Sequence, residues 1–259
     1  MKNDSITFWG IYSVWRRHLR VYQKTWLVNS LVPISEPIIY LIAFGFGFTP
    51  LVGNIIYAGK ETGYLQFLAP GMIAIAILFQ SYAEGAYGSF IRLSYQKTWH
   101  ALLTAPLTFS EVFLGEWFWA ATKGVLAAML TGLVAIIWGL FSGWQFLLSL
   151  PLIILGSLLF AAVGLLSAGL ARTIDQLNVP VHLLLIPMFT LCGTYFPRDV
   201  LPPLLQKIAG VLPLSPLVDL LRWHLVLPDG WIFSAVLLLL WTVVCAVLAW
   251  RQIYPKLFR

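Results

Sequence analysis

The chain has 259 residues, 60% hydrophobic and only 10% charged, with a formal net charge of +6. A soluble domain carries roughly a quarter charged residues, so this composition, with a mean hydropathy of +0.86, excludes a water-soluble globular enzyme and makes lipid the main solvent. No stretch is long and polar enough for a soluble catalytic domain, and no glycine-rich phosphate loop is present, so ATP hydrolysis by this chain alone is not expected.

In lipid every backbone polar group must be satisfied internally, which leaves helices or a closed barrel. The apolar segments are continuous runs and not alternating ten-residue strands, so they are helices. Residues 5 to about 28 place Phe8, Ile11, Tyr12, Trp15, Leu19, Tyr22 and Trp26 at three- and four-residue steps, with Ser13, Arg16, Arg17, Arg20 and Lys24 opposite. That pattern predicts a basic, aromatic helix lying in the membrane interface. The same residues are too polar for a secretory signal peptide.

Six spans are predicted, over about 31–48, 67–90, 110–140, 146–170, 179–195 and 231–250. Pro33, Glu36 and Pro37 interrupt the start of the first span, and a short polar loop with Asn54, Lys60 and Glu61 follows it. The fourth span carries Gly156, Ser157, Ala161, Ala162, Gly164, Ser167, Ala168 and Gly169, small residues that allow close helix packing and read best as an intramolecular seam. Cys192 and Cys245 lie in apolar runs and read as small buried hydrophobes.

Charge gives the orientation. Lys2, Arg16, Arg17, Arg20, Lys24, Arg92, Lys97, Arg172, Arg251, Lys256 and Arg259 fall on one side, while Lys60, Arg198, Lys207 and Arg222 on the other are offset by Glu61, Asp199, Asp219 and Asp229. The positive-inside rule then puts both termini in the cytoplasm and explains the net charge without nucleic acid.

Three segments carry the candidate mechanism. Tyr95–Pro106 reads as a short amphipathic helix ended by Pro106, with Trp99, Leu102 and Leu103 as one apolar patch and a docking surface as one reading of it. The third span holds Glu111 near the interface and Glu116 and Lys123 deeper, with Glu84 of the second span within reach. An intramembrane charge costs about 2.5–3.5 kcal/mol on insertion scales, so this cluster is either a structural ion-pair group or part of a transport or coupling device. Between spans five and six, Phe196 to Trp223 contains two stretches too short to cross, broken by Pro197, Pro202, Pro203, Pro213 and Pro216. Broken backbone at membrane depth needs cover from protein or a cavity. Such a segment gates an outer exit or caps the bundle. His18, His100, His182 and His224 are scattered, and no nucleophile–base pair or metal-ligand spacing stands out.

Together the segments Phe67-Leu68-Ala69-Pro70-Gly71-Met72, Gln96 to Leu103, Leu114-Gly115-Glu116 with Trp119 to Lys123, Phe196-Pro197, Leu201-Pro202 and Leu212 to Leu220 resemble permease subunits of ABC-2 exporters, and within them the lipo-oligosaccharide (nodulation-factor) exporter permeases. The resemblance implies an all-α polytopic domain over residues 1–259 in a bacterial inner membrane, paired as a homodimer above two ATP-binding cassette subunits. By that likeness Tyr95, Lys97, Thr98, Trp99, His100, Leu102 and Leu103, with Arg16, Arg17 and Arg20, couple to the ATPase. Phe196, Pro197, Leu201, Pro202, Pro213 and Pro216 form an external gate. The chain itself needs no cofactor, and ATP and magnesium sit on the partner. The cargo is an amphipathic, lipid-linked or glycan-bearing molecule. The alternatives are a hydrophobic drug or antibiotic as cargo, a proton-driven carrier, and an integral-membrane lipid enzyme.

Overall fold

A computed structural model describes residues 6–227 and 230–258. Lys2, Asp229 and Arg259, counted in the charge balance, lie outside the described residues, as do the side chains of Pro33, Glu36 and Pro37.

Helix α1 (Phe8–Lys24) starts at Thr7, whose hydroxyl accepts from the Gly10 amide at 3.2 Å. Thr25 breaks the helix, and α2 (Trp26–Ile42) continues through a π-helical stretch, Ala43–Phe48, to a final turn at Thr49–Val52. Its backbone stays helical through positions 33 and 37, so the predicted interruption does not occur. The expected polar loop is instead a β-hairpin, β1 (Asn54–Tyr57) with β2 (Lys60–Gly63), closed by the Tyr57–Lys60 pair. Ala58 (φ 48°) and Gly59 (φ 77°) are both left-handed, the two-residue turn whose twist matches antiparallel strands.

Helix α3 (Tyr64–Tyr95) is longer than predicted because it passes through π turns at Glu84–Gly88 and Ile91–Tyr95 and so carries Arg92 on a helix instead of a loop. Lys97, in the left-handed region (φ 50°), turns the chain into α4 (Thr98–Thr104). Helices α5 (Phe109–Ile137), α6 (Gly143–Leu148), α7 (Leu150–Leu170) and α8 (Ile174–Leu191) follow. Helices α9 (Pro203–Val211) and α10 (Leu214–Leu221) meet at 88°, and α11 (Trp231–Phe258) closes the fold. Helices α3, α5, α7, α8 and α11 are long and apolar enough to span a membrane; the bent α9–α10 pair would be a sixth.

Helix α7 is central, packed on α3, α5 and α11. A Cβ on Gly85 of α3 would stand 2.6 Å from the Ala161 carbonyl, and one on Gly164 would stand 2.6 Å from the Tyr82 carbonyl, so the two backbones cross in near contact. The small-residue stripe of α7 is therefore an intramolecular seam. Cys192 and Cys245 are buried free thiols. The bundle has a basic end, with α1, α4 and the close of α11, and an opposite end with the hairpin and the α9–α10 bend.

Candidate functional site

The first functional assembly joins α1, α3 and α5 at the basic end. Glu116 is fully buried on α5. Its carboxylate accepts from Arg92 Nε at 3.0 Å and Arg92 Nη2 at 2.7 Å, and from the Ser89 hydroxyl at 3.2 Å. The remaining Arg92 nitrogen, Nη1, donates to Glu84 Oε1 at 2.8 Å, and Trp119 Nε1 donates to the same oxygen at 2.9 Å. One guanidinium thus bridges two carboxylates by the forked geometry that only arginine offers. His18 of α1 brings Nε2 within 3.0 Å of Glu116 Oε1, an ion-pair distance without a linear hydrogen bond, and stacks on Trp119 at 5.7 Å.

The π turn makes this possible. Residues 84 and 92 are eight apart, which an ideal α-helix would rotate off one face. A π turn adds a residue without adding a turn, so the pair behaves like positions seven apart and shares a face. A Cβ on Gly88 would sit 2.8 Å from Glu84 Oε1, so that glycine leaves the room.

Of the predicted group of Glu84, Glu116 and Lys123, the two carboxylates converge on Arg92, which is carried by α3 and not by a loop, and Glu116 also meets His18. Among the described residues Lys123 forms no ion pair: its Nζ lies 4.3 Å above the Tyr22 ring, in a cleft of about 160 Å³ that His18, Glu84 and Arg92 also line. Glu111 is not a cheap interfacial charge either. It is buried and caps two helices at once, accepting from the Thr7 amide at 2.9 Å and hydroxyl on one oxygen and from the Thr108 amide at 2.7 Å and hydroxyl at 3.0 Å on the other. Gly10 and Gly115 let α1 settle this close: a Cβ on Gly10 would collide with the Glu111 side chain, and one on Gly115 would stand 2.6 Å from Val14 Cβ.

The second assembly is α4. Tyr95, Lys97 and His100 are exposed and Thr98, Leu102 and Leu103 half-buried. Trp99 corrects the expected apolar docking patch, because it is wholly buried, 6.4 Å from the Phe109 ring, in a cluster with Val14, Leu93, Phe113 and Ile253. It ties α4 to the bundle. On α1, Arg16 and Arg20 are exposed and Arg17 half-buried, while Gly10, Val14 and His18 face the bundle.

The third assembly is at the opposite end. Pro213 and Pro216 are buried, Phe196, Pro197 and Leu201 half-buried and Pro202 exposed. Arg222, assigned from sequence to a solvated loop, is 1% exposed. Its Nε donates to the Phe67 carbonyl at 3.2 Å and its Nη2 to the Thr194 carbonyl at 3.3 Å, and the guanidinium lies 3.6 Å over the Phe67 ring. Tyr57 of the hairpin covers it from 5.4 Å, and burial pushes the Tyr57 hydroxyl above its usual pKa, keeping it neutral. Arg198 pairs with Asp219 beside it. A single cation thus fastens hairpin, α3 and the segment after α8, a role that spacing in the sequence does not reveal.

Apolar helices of membrane-spanning length packed around buried ion pairs, with a short helix at the basic end, define a polytopic all-α membrane protein. A family model for the ABC-2 type transporter matches residues 10–226, and the chain belongs to that family: it is a multi-pass inner-membrane permease subunit that works with separate ATP-binding cassette subunits, where ATP is hydrolysed. It is 38% identical over 210 residues to nodulation protein J of Bradyrhizobium diazoefficiens, covering 81% of this chain and 79% of that protein. Nodulation protein J of Rhizobium leguminosarum bv. viciae is 37% identical over 211 residues, 81% of this chain and 80% of the relative. The inner membrane transport permease YadH of Escherichia coli strain K12 is 24% identical over 217 residues, 83% of each chain.

Proposed function

We propose that this permease exports an amphipathic, glycan-bearing lipid as a homodimer, with both termini in the cytoplasm and α4 seated on the ATPase. The similarity to nodulation protein J carries the choice of cargo. A row of aromatic side chains supports it: Phe48, Phe44, Tyr195, Phe189 and Phe79 follow one another at centroid distances of 5.2, 5.3, 6.0 and 5.6 Å along α2, α3 and α8. Half-buried ring faces with negative quadrupoles suit the C–H faces of sugars and the tail of a lipid alike.

Nucleotide closure on the partner moves α4 and α1. Trp99 and the Glu84–Arg92–Glu116–His18 group transmit that displacement to α3 and α5, since Trp99 is wholly buried and Arg92 joins both carboxylates directly. The segment with Phe196, Pro197, Leu201, Pro202, Pro213 and Pro216 yields at the external side. ATP and magnesium act on the partner.

The test is reconstitution with the candidate ATPase in vesicles, with hydrolysis and transport followed for a lipid-linked oligosaccharide and for a hydrophobic drug. Stimulation and vectorial transport of the oligosaccharide are expected. Transport of the drug alone would reject the cargo, and failure of any ATPase to associate would reject the coupling assignment.

A further inference from the structure

At the basic end a cleft of about 350 Å³ opens between the stem of α4 and the end of α7, and its walls carry Lys97, His100, Arg172 and Lys256. A second hollow of about 250 Å³ lies beside it, between Leu170 and Pro255, and shares Arg172 and Lys256 with the first. The two form one trough. No carboxylate lines either part. Among the described residues every ion pair belongs to His18, Arg92 or Arg198, and none of them neutralises Lys97, Arg172 or Lys256.

Lys256 is held in place: its Nζ donates to the Ala168 carbonyl at 3.0 Å and to the Ala171 carbonyl, the last acceptors of α7. An ammonium has three N–H donors, so one remains. Arg172, exposed just past the helix end, has its whole guanidinium fork to offer.

The surroundings identify the ligand. Leu170, two residues before Arg172, lines the second hollow, is 59% exposed and ends the apolar run of α7. The cations therefore stand where apolar helix surface ends, the depth of a headgroup. A soluble acidic protein would meet the cations but leave this apolar rim uncovered. Basic pockets between helix ends at the cytoplasmic face suit anionic headgroups.

We infer that the trough formed by Lys97, His100, Arg172 and Lys256 binds the phosphate headgroup of an anionic phospholipid, with the acyl chains lying along Leu170. Because Lys97 and His100 belong to the stem and first turn of α4, a lipid here would bridge α4 to α7 and stiffen the connection on which ATPase coupling depends. The inference rests on the exporter reading for its orientation only. In a nanodisc both leaflets carry the same lipid, so binding reads the trough alone, whatever the cargo or topology.

The test uses the full permease–ATPase complex in nanodiscs of mixed phosphatidylglycerol and phosphatidylcholine. Lipid retained after extraction is counted by native mass spectrometry for wild type, Arg172→Glu and Arg172→Lys. Arg172 is exposed, and equal melting temperatures will show that the fold is kept. Wild type should retain phosphatidylglycerol in preference to phosphatidylcholine, Arg172→Glu should retain about fivefold less or lower still, and Arg172→Lys should keep most of it, as expected for one surface cation near a phosphate. Equal retention of both lipids by wild type overturns the inference, as does undiminished retention by Arg172→Glu. Loss of the ATPase from Arg172→Glu with lipid retention unchanged also overturns it, and would make the trough a protein-docking surface.

Discussion

At the scale of single residues, the charges inside this protein are fasteners. Glu111 closes the first turns of α1 and α5 with one carboxylate. Losing an ordinary N-cap costs about 1 kcal/mol, so Glu111→Ala should cost about 2 kcal/mol, two caps at once, in denaturant unfolding of the purified protein; a loss no larger than one cap would refute the double role. Glu116 and Arg92 are coupled more strongly. Removing one partner of a buried pair costs about 3–5 kcal/mol, so Glu116→Gln and Arg92→Met should each be severe and the double change much less than additive. Additive losses in a double-mutant cycle would mean that the pair acts independently. Sequence spacing found Glu84 and Glu116 because a charge in an apolar run is conspicuous. It missed Arg92 because it lies near the end of α3, and His18 because it sits on α1, a polar helix predicted to be interfacial, where such residues need no explanation.

At the scale of elements, α4 shows how a side chain and its helix can have separate roles. Trp99 points into the core while Tyr95 and His100 face out. Truncating a buried tryptophan costs about 3–5 kcal/mol, so Trp99→Ala should lower the melting temperature and loosen α4. Tyr95→Ala with Thr98→Ala should leave the melting temperature unchanged and reduce ATPase co-purification. If the surface pair melts the protein and Trp99→Ala does not, the assignment of faces is wrong. The short amphipathic stretch was legible in sequence from its spacing and Pro106, but its facing was not. The left-handed Lys97 sets that facing, and nothing in the Gln-Lys-Thr run announces it. The hairpin was overlooked for a similar reason: Ala58 holds a positive φ that favours glycine, asparagine or aspartate, so the usual turn signature is absent.

At the scale of the whole molecule, the charge asymmetry between the two ends predicts the orientation. Cys192 and Cys245 are buried, so cysteines introduced at Ile56 on the exposed hairpin and Ser94 at the basic end can be read against a silent background. A membrane-impermeant maleimide should label Ile56→Cys in spheroplasts and Ser94→Cys only after permeabilisation; the reverse pattern would invert the topology. Hydropathy and charge bias are sums over local windows, each residue contributing whatever its neighbours in space. That is why the helical class, the five apolar rods α3, α5, α7, α8 and α11, the seam on α7 and the basic end could be read from the chain alone, whereas the predicted first span, 31–48, is not among the helices of the described residues that are long and apolar enough to cross. The contacts that join the rods are differences of an ångström or less: a π turn that rotates Arg92 onto the face of Glu84, glycines that let α1 reach Glu111 and α3 cross α7, and a buried Arg222 held by two carbonyls. Such contacts depend on helix phase and crossing distance, and a one-residue change in phase redirects every side chain beyond it, so they came into being only when the helices packed.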